Sequence, residues 1–250
     1  MDYRYYLTLL VPPLLMALVM VAIRRNRTRR LRALAERLQP EAAARGWTLE
    51  TEQRGYIRVL RWSGTQDGVR WIAEAHEGKI ASGNHRRHTS LTVWRAPGAY
   101  TGSTATLLMG LPDGTEIPKS QPSEGVLASL ALKAVLFALD KGIDFYFGKE
   151  IGAEVDARDL KRVEDAEARV PGFVVMSSAP SDASWLIARN VAPAVNSAIN
   201  AGPESLQGPR RPWILFWSGG VALGRVGSVD NAADLEPFVR AGVAIARAAR

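Results

Sequence analysis

Along residues 69–75 two kinds of side chain alternate one by one, with Val69, Trp71, Ala73 and Ala75 set against Arg70, Ile72 and Glu74. A period of two is that of an extended strand with one half-buried face. The run 56–62 (YIRVLRW) also reads as a strand, and Ser63–Gly68 between the two is rich in turn formers. Residues 89–95 (TSLTVWR) predict a third strand and 105–109 a weaker fourth. An antiparallel meander is the simplest topology for such closely spaced strands.

Elsewhere the period lengthens to that of a helix. Leu31, Leu34, Ala35 and Leu38 share one helical face before Pro40. Residues 123–139 predict a helix opened by Pro122 and Ser123 and closed by Gly142. Its stretch 126–139 (VLASLALKAVLFAL) is apolar almost all round, as in a buried helix, and too short for a span with Lys133 inside. Residues 149–169, charged and mixed in sign, predict a surface helix or mobile connector anchored by Leu160 and Val163. A short buried strand is expected at 173–176. A helix capped by Ser181 or Asp182 should run to about residue 200, striped by Ile187, Val191, Val195 and Ile199, with Gly202 ending it. The run WILFW at 213–217, apolar on both faces, predicts a central strand turning through Ser218, Gly219 and Gly220 into 221–226. A closing helix follows Asp230–Asp234, with Leu235, Phe238, Val239, Gly242 and Ala246 on one face. Arg247 and Arg250 sit at its C-terminal end, where the helix dipole favours cations.

The expected fold class is therefore α+β, a mainly antiparallel sheet backed by helices. The pieces RVLRWSG (58–64) and ILFWSGG (214–220) echo each other, so residues 47–148 and 149–250 are candidate similar halves.

The longest apolar run changes the picture. Residues 5–23 (YYLTLLVPPLLMALVMVAI) hold no charge across 19 positions. As a helix they would span roughly 28 Å, close to a hydrocarbon core of about 30 Å. Tyr5 and Tyr6, with Tyr3, stand where an interfacial aromatic belt would. Pro12 and Pro13 predict a kink, which hints at a partner helix. Arg24, Arg25, Arg27, Arg29, Arg30 and Arg32 follow the run instead of preceding it, and Ile23-Arg24-Arg25 is no cleavage site, so a retained span is expected over a signal peptide. The layout that follows is a short non-cytoplasmic tail (1–4), a transmembrane helix (5–23), a basic juxtamembrane segment (24–46) and a cytoplasmic α+β domain (47–250). The positive-inside rule would put the N-terminus outside an inner membrane, with the arginines against anionic lipid.

Charge supports a local reading of that basic run. The formal total is +7, but residues 1–23 sum to zero and residues 24–37, seven arginines against Glu36, carry +6. Only +1 is left for 38–250, so basicity is not a property of the fold, and no nucleic-acid partner is expected. Arginine outnumbers lysine 26 to 6, the bias of a GC-rich, bacterial genome. No cysteine is present, which removes disulfides, thiolate metal sites and a cysteine nucleophile.

Candidate chemistry is sparse. His76, His85 and His88 cluster in sequence, with Glu74 and Glu77 alongside, and HRRH has metal-ligand spacing. Gly78, Gly83 and Asn84 argue for a hairpin loop there, and Arg86 and Arg87 would repel a divalent cation, so these histidines are metal candidates of last resort. No G-x-S-x-G occurs, and WSGGVALGRVGS (217–228) fits neither a dinucleotide nor a P-loop pattern. Glu150, Glu154, Asp156 and Asp159 read as a solvated face. Arg58, Arg61–Trp62, Arg70–Trp71 and Trp94–Arg95 interleave cations with rings, within a segment (45–100) of nine basic and five acidic residues. The simpler expectation is tryptophans in the core and arginines in water; the alternatives are lipid or partner contact, or base stacking.

The functional expectation is a single-pass, membrane-anchored accessory, scaffold or assembly subunit of a membrane complex. No catalytic residues and no cofactor are expected, and another membrane protein is the expected partner. The alternative is a membrane-tethered hydrolase or metal-dependent enzyme using the 76–88 His/Glu loop.

Overall fold

In the computed structural model, which describes residues 3–55, 57–82, 85–111, 126–200, 211–229 and 231–250, the alternating run at 69–75 lies in the third strand of a nine-stranded sheet. The strands are β1 (Thr48–Arg54), β2 (Ile57–Gln66), β3 (Val69–Ser82), β4 (His85–Pro97), β5 (Thr106–Gly110), β6 (Lys161–Arg162), β7 (Phe173–Ser177), β8 (Trp213–Trp217) and β9 (Gly220–Val226). Their order is β1-β2-β3-β4-β9-β8-β5-β7-β6, antiparallel throughout. The helices are α1 (Tyr3–Ala43), α2 (Val126–Phe147), α3 (Lys149–Glu154), α4 (Glu164–Glu167), α5 (Pro180–Leu186), α6 (Ala192–Asn200) and α7 (Ala232–Ala248).

Two cores lie on opposite faces of the sheet. On one, Trp62, Trp71, Trp94, Phe216 and Leu223 pack with Leu235, Phe238, Val239 and Ala246 of α7, joined by Ile187, Val191 and Val195. Leu38 and Ala42, at the end of α1, complete this core. On the other face Leu107, Leu215, Trp217 and Ala222 meet Leu139, Ile143 and Phe147 of α2 and Ile151 of α3. Glycines let both helices approach closely. A Cβ at Gly242 would lie 2.5 Å from Trp94, and one at Gly142 would lie 2.5 Å from Trp213. That is why Gly142 sits inside α2 instead of ending it. The helix runs on to Phe147, and Gly148 beyond it has φ +88°. The strand β5 lies between β8 and β7, so strands from 47–148 and 149–250 interleave in one sheet. The two Trp-Ser-Gly endings send their tryptophans, Trp62 and Trp217, to opposite cores.

The structure overturns the transmembrane reading. Among the described residues no helix is long and apolar enough to cross a membrane. The sequence divides at Ile23 into an uncharged run (5–23) and a basic segment (24–46), expected as a span and a juxtamembrane segment or helix. Instead one 41-residue helix runs from Tyr3 through Pro12, Pro13 and all six arginines to Ala43. Beyond Ile23 the same helix carries the arginines and runs on without a break until Leu38 and Ala42 are buried in the core. The single-pass arrangement, the inner-membrane location and the outside N-terminus rested on that span and fall with it. Pro40 does not stop α1 either, because Leu38 and Ala42 on each side of it are buried.

Smaller differences have local causes. The helix expected from 182 to 200 begins at Pro180 and is interrupted by a π-helical turn over Ile187–Val191. Pro193 has no N–H to return to the carbonyl four residues back, which loosens the helix there. Residues 149–169 hold α3, β6 and α4 in place of one surface helix. Tyr56, Gly83, Asn84, Pro122, Ser123, Gly202 and Asp230 lie outside the described residues.

Candidate functional site

Charged side chains are rarest in the interior, so the buried ones point to the candidate site. Alternation along β3 turns Glu74 and His76 away from the tryptophans, to the face that α2 covers further along. Register places Arg61 of β2 and Val93 of β4 opposite Glu74, with Arg95 two positions along β4. The Glu74 side chain is only 7% exposed. Arg61 donates to its Oε1 from Nε at 2.9 Å and from Nη2 at 2.7 Å, while Oε2 lies 3.2 Å from His76 Nε2. The His76 contact, opposed by burial and reinforced by the charges of Arg95 and Arg61, holds the Glu74 carboxyl down to about 2.

Arg95 ties this cluster to a helix. Its Nη2 donates to the Phe147 carbonyl at 2.7 Å, the last turn of α2. A cation there meets both an unsatisfied carbonyl and the negative end of the helix dipole. Its Nε is buried with no hydrogen-bond partner among the described residues, leaving the Glu74 field as its compensation. The arrangement is a clasp: Glu74 is gripped from β2 and β3, and Arg95 hands the charge on to α2. Both Glu74 oxygens are engaged. His76 is 23% exposed at the side chain and Arg61 45%, so both reach solvent while Glu74 does not.

The other sequence candidates scatter. His85 and His88 belong to strand β4, not to a loop, and stand opposite Ser82 and Lys79 in register. His85 lies six positions along β4 from Leu91, the partner of His76, or roughly 20 Å at strand rise. The register thus separates His76 from the other two. Among the described residues no group of three or more His, Asp or Glu converges as metal ligands would. Glu77 turns to the α7 side and pairs with Arg58. Asp156 pairs with Arg158 at 2.7 Å on the surface, and that guanidinium holds its carboxyl down to about 2. Trp62, Trp71 and Trp94 are fully buried, so their rings cannot stack on a base. Arg25, Arg29, Arg30 and Arg32 are exposed along α1.

Sequence reading missed a second buried polar group. Thr106 Oγ1 and Ser177 Oγ lie 3.1 Å apart with both residues fully buried. Ser177 also donates toward the Ala105 and Ala179 carbonyls and accepts from Ala179 N–H. These bonds stitch β5 to the entry of α5, and none involves a base that would activate the hydroxyl. Beside it Glu167 accepts from Arg162 and from the Val175 N–H, fixing β6 and α4 on β7. Isolated hydroxyls in apolar strands carry no sequence signal; only the register reveals that they meet.

Comparison with family models, curated proteins and solved structures finds no match for this chain.

Proposed function

We propose that the chain is a non-catalytic accessory or assembly module, a helix-backed sheet that presents surfaces to protein partners. The observation that carries this reading is the state of Glu74. Among the described residues the one deeply buried carboxylate, Glu74, is engaged at both oxygens by Arg61 and His76 and neighbours an arginine committed to a helix end. A general acid or base needs a lone pair or proton free for substrate. Here those valences serve architecture. Large apolar side chains also stand exposed, among them Val135 and Phe137 on α2 and Trp185 on α5. Such residues suit a protein contact.

Gentle purification of the tagged full chain from its native cells tests this reading. Defined partners should co-elute, and Phe137→Glu or Trp185→Glu should release them while leaving the thermal midpoint unchanged. A monodisperse chain without partners would contradict it.

The enzymatic alternative draws on one feature, the partly exposed His76 beside an ionised Glu74. His76→Ala separates the two. An assembly module keeps its cellular phenotype, whereas an enzyme built on that pair loses it.

A further inference from the structure

The two most basic pieces of the chain leave the fold at the same end. β3 and β4 outrun their neighbours: β2 pairs with β3 only as far as Gly78, and β9 pairs with β4 only as far as Leu91. Residues 79–82 and 85–89 therefore form a two-stranded ribbon beyond the sheet, with no strand paired to either edge among the described residues. Lys79, His85, Arg86, Arg87 and His88 are on it, and no carboxylate occurs from Gly78 to Gly98. The ribbon leaves from the end where Arg54 of β1 pairs with Ile57 of β2.

α1 points the same way. It ends at Ala43, the chain turns at residues 44–47, and β1 starts at Thr48, so the helix doubles back along β1 with Leu34, Leu38 and Ala42 against the core. β1 has seven residues, roughly 23 Å. At about 1.5 Å per residue that length uses up α1 back to around Thr28. The helix N-terminal to this point lies past the Arg54 end, beside the ribbon's exit. There Arg25 is exposed, and so are Leu15, Met16, Val19 and Val21, with exposed Arg29 and Arg30 at the boundary.

We propose that this end of the molecule docks on an anionic lipid surface, with the α1 arginines and the β3–β4 ribbon as two separate contacts. Cations alone would suit any polyanion. Exposed leucine, methionine and valine side chains next to the arginines favour a headgroup layer over a nucleic acid, because they gain from the acyl boundary and lose against phosphates in water. The contact lies on the surface and needs no span. It is independent of the assembly reading.

The test is co-sedimentation of the full chain with phosphatidylglycerol–phosphatidylcholine vesicles, with pure phosphatidylcholine vesicles and with duplex DNA, each at low and high salt. Binding should require the anionic lipid and fall with salt. Arg86→Ala/Arg87→Ala in the ribbon and Arg29→Ala/Arg30→Ala in α1 should each weaken partitioning roughly thirtyfold. Arg86→Lys/Arg87→Lys should retain it, and all three variants should keep the wild-type thermal midpoint. No preference for anionic vesicles would overturn the proposal. A ribbon variant that binds like wild type would also overturn it, as would tighter binding to DNA than to vesicles.

Discussion

The strands β2, β3 and β4 carry two unlike faces. One presents Trp62, Trp71, Trp94, Ala73 and Ala75 to α7 and α1 and is sealed. The other presents Arg61, Glu74, His76 and Arg95 beside the end of α2 and is held by charge. On the first face buried area and shape decide the energy, and polar needs are neglected: the indole N–H groups of Trp62, Trp71 and Trp94 have no hydrogen-bond partner among the described residues. On the second, each buried charge must find its opposite or destabilise the fold. One sheet is thus stabilised by two mechanisms that respond differently to mutation and to pH.

The largest effect should come from the sealed face. Trp94→Ala removes a fully buried ring beneath Gly242 and should cost about 3–5 kcal/mol. Urea unfolding measures it, and the loss should be the same at acidic and neutral pH. A pH-dependent loss would break the comparison.

Glu74→Gln should cost about 3 kcal/mol at neutral pH, because the guanidinium of Arg61 and the field on Arg95 lose their counter-charge. The sign with pH follows from the depressed carboxyl. Its folded value of about 2 lies below its usual 4.5. The stabilisation is therefore complete above the usual value and is lost as pH falls from about 5 to about 2. Wild type should show this acid limb in its urea midpoint; the variant should flatten it and meet wild type near the acid end. Equal slopes in the two proteins would remove the clasp.

Arg95→Ala should cost less, about 1–2 kcal/mol, since it gives up one charge-assisted bond at a helix end. The smallest effect belongs to the cap of α7. Asn231 accepts from the Asp234 N–H at 2.8 Å and donates to the Asp234 carboxylate at 2.7 Å, and Asn231→Ala should cost about 1 kcal/mol in urea unfolding at neutral pH.

How much of this was legible follows the same division. Period-two alternation announced β3 and its buried side, and the tryptophans went to the core as expected, because area and spacing are local properties of a sequence. The stripe on α7 (Leu235, Phe238, Val239, Ala246) and the double-sided WILFW strand were readable for the same reason. The strand β1 left no such trace: TLETEQR is a polar edge that owes its shape to pairing with β2. Glu74, Arg61 and Arg95 were visible as charges, but their meeting is a fact of register between three strands. The histidines misled because closeness in sequence is not closeness across a strand that continues past its neighbours. The apolar start misled because a run of residues has no knowledge of the helix it becomes part of. At its far end α1 is docked by Leu38 and Ala42 into the protein's own core.

The central claim is that the charged face clasps α2. Amide hydrogen exchange at residues 143–148, compared between wild type and Glu74→Gln, tests it most directly. The account predicts exchange faster by about tenfold or more at these positions, with the amides of residues 235–246 in α7 unchanged. Unchanged protection at 143–148, or an equal rise in both helices, would contradict it.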